Sequence, residues 1–288
     1  MTDHAECSRL FCDIALAGRI ELCEAELITS SNEAAQLRRG DGTGFAMPIS
    51  GGVASFAEAD SPLNKVAGLG FAGVPTAADF DGIERAFAAR GAPVQAEVAA
   101  LADPAIGELL TGRGYRLASF ENVLGHALRD GPGDAHERAT PPGVTVRRIG
   151  DDEFETWLVV VADAVAHADT QGLPAHEEFP RDLVVNAMRD MAAAGLHHYL
   201  AVRNGAVAGG ASMRIAGGVA QLTGAATTPA HRRHGVQTAL LSARLAAAAT
   251  AGCDIAVVTT QPGSTSHQNV QRQGFDLLYT RAVLVKHA

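Results

Sequence analysis

The spacing of apolar and polar residues changes repeatedly along the chain, and each change marks an element. A helical pattern covers about Ala5–Arg39. Short apolar runs at Gly44–Pro48, Val53–Ala57 and Lys65–Phe71 then predict strands. Thr76-Ala77-Ala78-Asp79 reads as a capping box opening a helix that runs to Arg90. A strand at Val94–Ala99, a helix near Pro104–Arg113 and a strand from Tyr115 complete this half. Further on, Asp151 is placed to cap a helix through about Ala168, and a second helix spans about Arg181–Ala194. Strands follow at His197–Arg203, Ala206–Arg214 and Val219–Ala226, turned by Asn204-Gly205 and Gly217-Gly218. An Ala/Leu-rich helix from about Gly235 to Ala251 leads to a strand at Asp254–Thr259. A short helix near Ser266–Gln273 and a final strand or pair over Phe275–Val285 end the chain.

Residues 129–144 are dense in Gly, Pro and charge, which suits neither a helix nor a central strand. They divide the chain into parts of domain size, 1–130 and 143–288. The two parts repeat one order of elements. Gly114, Tyr115, Leu117, Val123 and Leu124 align without gaps, at an offset of 160, with Gly274, Phe275, Leu277, Val283 and Leu284. Two copies of one mixed α/β fold is the expectation.

Composition narrows the function. Of 288 residues, 47% are hydrophobic and 5% aromatic, so the cores are aliphatic. The net charge of -9 lies wholly in residues 1–140, which hold 11 Lys+Arg against 20 Asp+Glu; the remainder balances at 12 and 12. Without a positive face, nucleic acid is excluded as a partner. No run approaches the ~18 apolar residues of a membrane span, and the acidic start Met1–Glu6 is unlike a secretory signal, so a cytoplasmic protein is expected. Cys7, Cys12, Cys23 and Cys253 form no CxxC and match no metal-ligand spacing, even with His4; reduced thiols and no metal are expected. The apolar content permits a homodimer.

Chemistry concentrates between Thr227 and Leu241. A strand end, a basic turn (His231-Arg232-Arg233-His234-Gly235) and a strong helix former would aim unpaired N–H groups and a positive helix end at one point, an arrangement suited to pyrophosphate. Arg232-x-x-Gly235-x-Gln237 resembles the (Gln/Arg)-x-x-Gly-x-(Gly/Ala) signature of the GCN5-related N-acetyltransferases (GNAT). Asn269-x-x-Arg272-x-Gly274-Phe275 is similar to that family's later cofactor-side motif, and the resemblance covers about Val144–Val285. It implies two GNAT-like domains in tandem, the first degenerate, the second using acetyl-coenzyme A (acetyl-CoA) as co-substrate. The cofactor residues it implies are Ala226, Thr227, Thr228, Arg232, Arg233, His234, Gly235, Val236, Gln237, Thr238, Asn269 and Arg272. Backbone N–H groups around Ala226–Thr228 would polarise the thioester. Two positions depart from the pattern: Gln237 replaces a small residue, and Val270 stands where many members carry a Tyr that protonates the leaving thiolate.

The implied reaction is direct attack by a primary amine of a small molecule or peptide; the acidic first half either draws a cationic one or is a solubility-promoting face of a packing domain. An amine near pKa 9–10 needs a base. The strand Val219–Ala226 carries no carboxylate, so the base candidates are His267, residues of His167–Glu178 such as Glu177, or a water relay. A non-catalytic acyl-CoA-binding protein is the alternative. Gly68-Leu69-Gly70-Phe71-Ala72-Gly73 is a literal GxGxxG, but Val74-Pro75-Thr76 and a new helix cap follow it, against a dinucleotide fold.

Overall fold

The computed structural model describes residues 10–128, 141–167 and 178–287. The boundary segment 129–144 therefore lies mostly outside the described residues, as do His4, Cys7 and Glu177. Helix α1 (Ile14–Arg39) starts later than its periodicity suggests, because the Asp13 side chain accepts the Leu16 N–H at 2.8 Å and fixes the first turn. Strands β1 (Phe45–Ile49), β2 (Gly52–Phe56) and β3 (Lys65–Ala67) follow. The third is shorter than expected: Gly68 takes φ +78° and Gly70 φ +87°, which ends the extended run. Helix α2 (Ala77–Ala88) has the capping box, with Thr76 and Asp79 bonded reciprocally. Strand β4 (Val94–Ala99), helix α3 (Ala105–Gly112) and strand β5 (Arg116–Ala127) match expectation.

The second part opens with a strand the sequence reading omitted, β6 (Val144–Arg148), which pairs with β7 (His197–Arg203). Its five residues adjoin the Pro/Gly-rich segment and form a sheet edge, so burial leaves little pattern to read. Asp151 makes no side-chain cap; residues Asp151–Glu153 form a 3-10 turn ahead of α4 (Phe154–Ala166). Then come α5 (Arg181–Ala193), β8 (Ala206–Ala216), β9 (Val219–Thr227), α6 (Val236–Thr250), β10 (Ile255–Thr260), α7 (Thr265–Arg272) and a single strand β11 (Asp276–Lys286).

The described strands form one mixed sheet in the order β1-β2-β3-β4-β11-β5-β10-β9-β8-β7-β6. Up to the edge strand β6 the order is symmetrical about its middle, and both parallel pairs, β3–β4 and β9–β10, occupy equivalent places. The final strands of the two parts are exchanged. β11 lies between β4 and β5, and β5 bridges β11 to β10. Register repeats the symmetry: Leu117 pairs with Leu284 and Leu124 with Leu277, each opposite the other's sequence equivalent.

Helices cover both faces. On one, α6 and α7 bury Leu240, Leu241, Val270 and Phe275 against Ala220, Leu222 and Ala256, and α2 and α3 bury Phe80, Ile83, Phe87 and Ile106 against Val66 and Ala96. On the other, α1 sets Ala17, Ile20 and Cys23 against Val123, Val219, Ile255 and Val257, and α4 sets Trp157 and Val161 against Ala226. Arg38 bonds Asp190 at 2.8 Å and Glu58 at 2.6 Å, fastening the end of α1 to α5. Cys12, Cys23 and Cys253 are buried and free.

Candidate active site

β9 and β10 run side by side only as far as Gln221 opposite Val257. Beyond that pair β9 stays with β8, out to Thr227 opposite Gly209, while β10 stays with β5, out to Thr260 opposite Asn122. The strands diverge because each outer neighbour holds its own partner, and a slot opens between Thr223–Thr227 and Val258–Thr260.

A bulge shapes the β9 wall. Ser212 faces Thr223 and Gly210 faces Ala226, so Ala211 alone opposes Gly224 and Ala225. Gly224 takes φ +55° there. Trp157 is seated over the bulge, donating its Nε1–H to the Ala211 carbonyl at 3.2 Å. On the other face Arg244, 2% exposed, donates Nη1–H to the carbonyls of Ser212 (2.9 Å) and Thr223 (3.3 Å). Burial lowers its guanidinium to about 10, still cationic at neutral pH. Trp157 also dictates Gly210, where a Cβ would lie 2.8 Å from the indole and 2.7 Å from Val161. Gly210→Val is expected to lower stability by about 1–3 kcal/mol through overpacking, read by urea unfolding with Trp157 as the emitting group; an unchanged midpoint would show that α4 yields freely.

The basic turn closes the slot's end. Pro229–His231 form a 3-10 turn, Arg233 takes the left-handed φ +63° rare for a side-chain-bearing residue, and Gly235 takes φ +78°. α6 then starts at Val236 with no side-chain cap on its first N–H groups. The same place in the first half is closed: Thr76 and Asp79 cap α2, Leu69 is buried, and the Asp103 N–H bonds the Gly70 carbonyl at 3.0 Å. Gly68 and Gly70 of the GxGxxG thus serve close backbone packing, whereas Gly73 is in open space.

The expected site residues distribute as follows. Thr227, Thr228 and the turn Arg232–Thr238 meet at the slot's end, with Arg233 and His234 exposed and Val236 buried in the core. Gly235 packs against Pro141, which supplies a second reason for glycine there. Arg232 bonds backward to the carbonyls of Thr227 (3.4 Å) and His167, so it ties the turn to the end of α4. The Thr228 N–H donates to Ala208 at 3.0 Å and is not available to a ligand; strand alternation turns the Thr227 N–H toward the slot. Ala226 is buried against α4. Asn269, half-buried, and Arg272, exposed, lie on α7. Val270 is 5% exposed within the core under α6. His267, also on α7, accepts the Gly263 N–H on Nδ1 at 3.2 Å. Sequence reasoning missed Trp157, Arg244 and the bulge; a lone glycine inside the β9 pattern was the available signal.

Four polar atoms on elements bordering the slot are shielded from solvent and without partners among the described residues: Thr227 Oγ1, His231 Nδ1, Thr260 Oγ1 and His267 Nε2. Groups so placed are met by ordered water or by a ligand's donors and acceptors. Together with the open end of α6 they fit a long ligand bearing amides and phosphates.

The model of the acetyltransferase (GNAT) family matches residues 162–275. A GCN5-related N-acetyltransferase from Kribbella flavida is similar over 90% of this chain and 96% of its own, with TM-score 0.62 and 22% identity. A tandem GNAT protein from the clavulanic acid biosynthesis pathway is similar over 93% and 94%, with TM-score 0.60 and 15% identity. A GCN5-related N-acetyltransferase from Sphaerobacter thermophilus gives 0.54 at 18% identity over 96% and 94%. No curated protein matches. At such identities the structures establish a shared fold, here along nearly the whole length. Residues 162–275 thus match the model of the GNAT acetyltransferase family, within a chain whose fold, along most of its length, is similar to that of a tandem GNAT protein.

Proposed function

We propose that the part from 143 to 288 binds acetyl-CoA and transfers its acetyl group to a primary amine of a small molecule or peptide, in the cytoplasm. Residues 1–130 are then a degenerate copy without a coenzyme loop. The observation that carries this reading is the contrast between the two equivalent places. The end of α6 is uncapped, with Arg233 and His234 exposed beside a slot, whereas the end of α2 is capped and its slot filled. Backbone N–H groups of residues 233–238 would hold the pyrophosphate, and Arg233 would add a charge-assisted contact. Thr227 N–H, on the bulged strand, would face the thioester carbonyl and stabilise charge on its oxygen. With Val270 in the core, no tyrosine there protonates the sulfur. A thiol pKa of ~8.5 lets the thiolate leave at neutral pH without one. The same lack of an acid favours the second reading, a non-catalytic acyl-CoA-binding protein.

Thermal unfolding with and without acetyl-CoA tests the binding that both readings share. At 100 times its dissociation constant the ligand should add about 2.7 kcal/mol to wild type. Arg233→Glu and the pair Arg232→Glu/Arg233→Glu should abolish the shift. No shift in wild type would sink both readings. Release of coenzyme A thiol in the presence of amines then separates enzyme from binder.

A further inference from the structure

Amine acylation needs a proton acceptor, and β9 has none. A row of charged side chains on the α1 face leads to the slot from the first half. Lys65 on β3 bonds Glu97 on β4 at 2.5 Å. Arg281 on β11 lies 4.0 Å from Glu97, 3.8 Å from Glu121 on β5, and donates Nε–H to Glu21 of α1 at 2.7 Å. Arg281 Nη1 then reaches Thr259 Oγ1 at 3.5 Å, and Thr259 belongs to the diverging part of β10. From above, Glu24 of α1 accepts from Gln221, the last β9 residue paired with β10. Glu21, Glu97 and Arg281 are 2% exposed and Lys65 16%, but Glu121 is 30% exposed. It is the carboxylate of this row on β5 that opens outward, and exchange has placed β5 directly against β10.

We propose that Glu121, supplied by the first half, takes the proton from the attacking amine at the slot. This inference rests on the acetyltransferase reading. One N–H bond of the ammonium breaks and its proton moves to the Glu121 carboxylate. The freed lone pair forms the C–N bond as the C–S bond breaks, its electrons leaving with sulfur. The amine's second proton passes to water, and Glu121 returns its proton to the sulfur. The surroundings match that role. Burial and the negative charges of Glu97 and Glu24 push the Glu121 carboxyl up to about 7, against the pull of Lys65 and Arg281. A group half ionised at neutral pH both accepts and returns a proton effectively.

The test combines titration with turnover. In carbon-13 spectra of glutamate-labelled protein, one carboxyl resonance should titrate near 7 and be absent from Glu121→Gln. With acetyl-CoA and a panel of alkyl and aryl primary amines, wild-type kcat/KM should rise with pH through about 7. Glu121→Gln should lower kcat about 100-fold or more and lose that limb, while keeping the acetyl-CoA thermal shift that shows the fold and coenzyme site intact. Glu121→Asp should retain the limb. A Glu121 resonance in the ordinary carboxylate range would overturn the proposal. So would a Glu121→Gln protein as active as wild type, or the absence of any accepted amine despite a normal shift. Failure of wild type to shift with acetyl-CoA would instead overturn the underlying function.

Discussion

Arg281→Met should lower the unfolding free energy by about 3 kcal/mol or more, the usual consequence of stranding a buried carboxylate by removing its cation. Arg281 and Glu21 are each 2% exposed, and Glu21 Oε1 accepts from both Arg281 Nε and the Tyr279 hydroxyl at 2.7 Å. Glu21, Glu24 and Glu97 hold the Arg281 guanidinium well above its ordinary range despite burial, so it stays charged. Burial meanwhile pushes the Glu21 carboxyl up, against Arg281. The methionine variant keeps the volume on β11 but leaves Glu21, Glu97 and Glu121 to face one another. Because β11 is the exchanged strand, the loss falls on the joint between the two parts. Urea unfolding measures it, and Glu21→Leu/Arg281→Met should recover part of the stability. A single variant within 1 kcal/mol of wild type would show that water already solvates the cluster.

Stability should also fall on mild acidification, with His198 a main contributor. His198 is 9% exposed, packed edge-on against Trp157 (4.4 Å) and Phe154 (5.1 Å), and its Nε2 has no partner among the described residues. Burial lowers its pKa to about 4, with His197 and Arg148 adding to the effect and Asp151 opposing it. Above the unfolded value of 6.5 both states are neutral and His198 adds no pH dependence. Between 6.5 and about 4 the unfolded chain binds a proton that the folded protein refuses, so stability drops as pH falls. The loss is about 2 kcal/mol by pH 5 and about 3 kcal/mol below pH 4. His198→Phe removes the titration and the unpartnered nitrogen together, so its stability should decline less between pH 7 and pH 5. Equal slopes in the two proteins would place the proton uptake elsewhere.

The parts legible in the sequence were those written locally. Val94–Ala99 alternates apolar residues with Gln95 and Glu97, His197–Arg203 carries the apolar run Tyr199–Val202, and both strands lie where those patterns put them. Thr76 and Asp79 carry their cap within four residues, and the cap forms. The basic turn with Gly235 at its end needs only its own residues to leave α6 uncapped. The repeat was readable because Leu117 and Leu124 keep the same spacing as Leu277 and Leu284. β6 was missed because an exposed edge strand of five residues imposes little alternation.

By itself, then, the sequence determined most of the element order, the repeat and the basic turn, since each depends on residues within one or two turns of chain. Only tertiary structure decided where the strands go. That Leu117 faces Leu284, that β5 lies against β10, and that Glu121 and Arg281 meet at 3.8 Å are pairings across about 130–170 residues. No local pattern encodes them. The slot arises the same way: β9 and β10 separate because β8 and β5 hold them from outside, and Trp157 and Arg244 fix the bulge from opposite faces. Burial of whole faces selects that arrangement, and burial is a property of the assembled sheet.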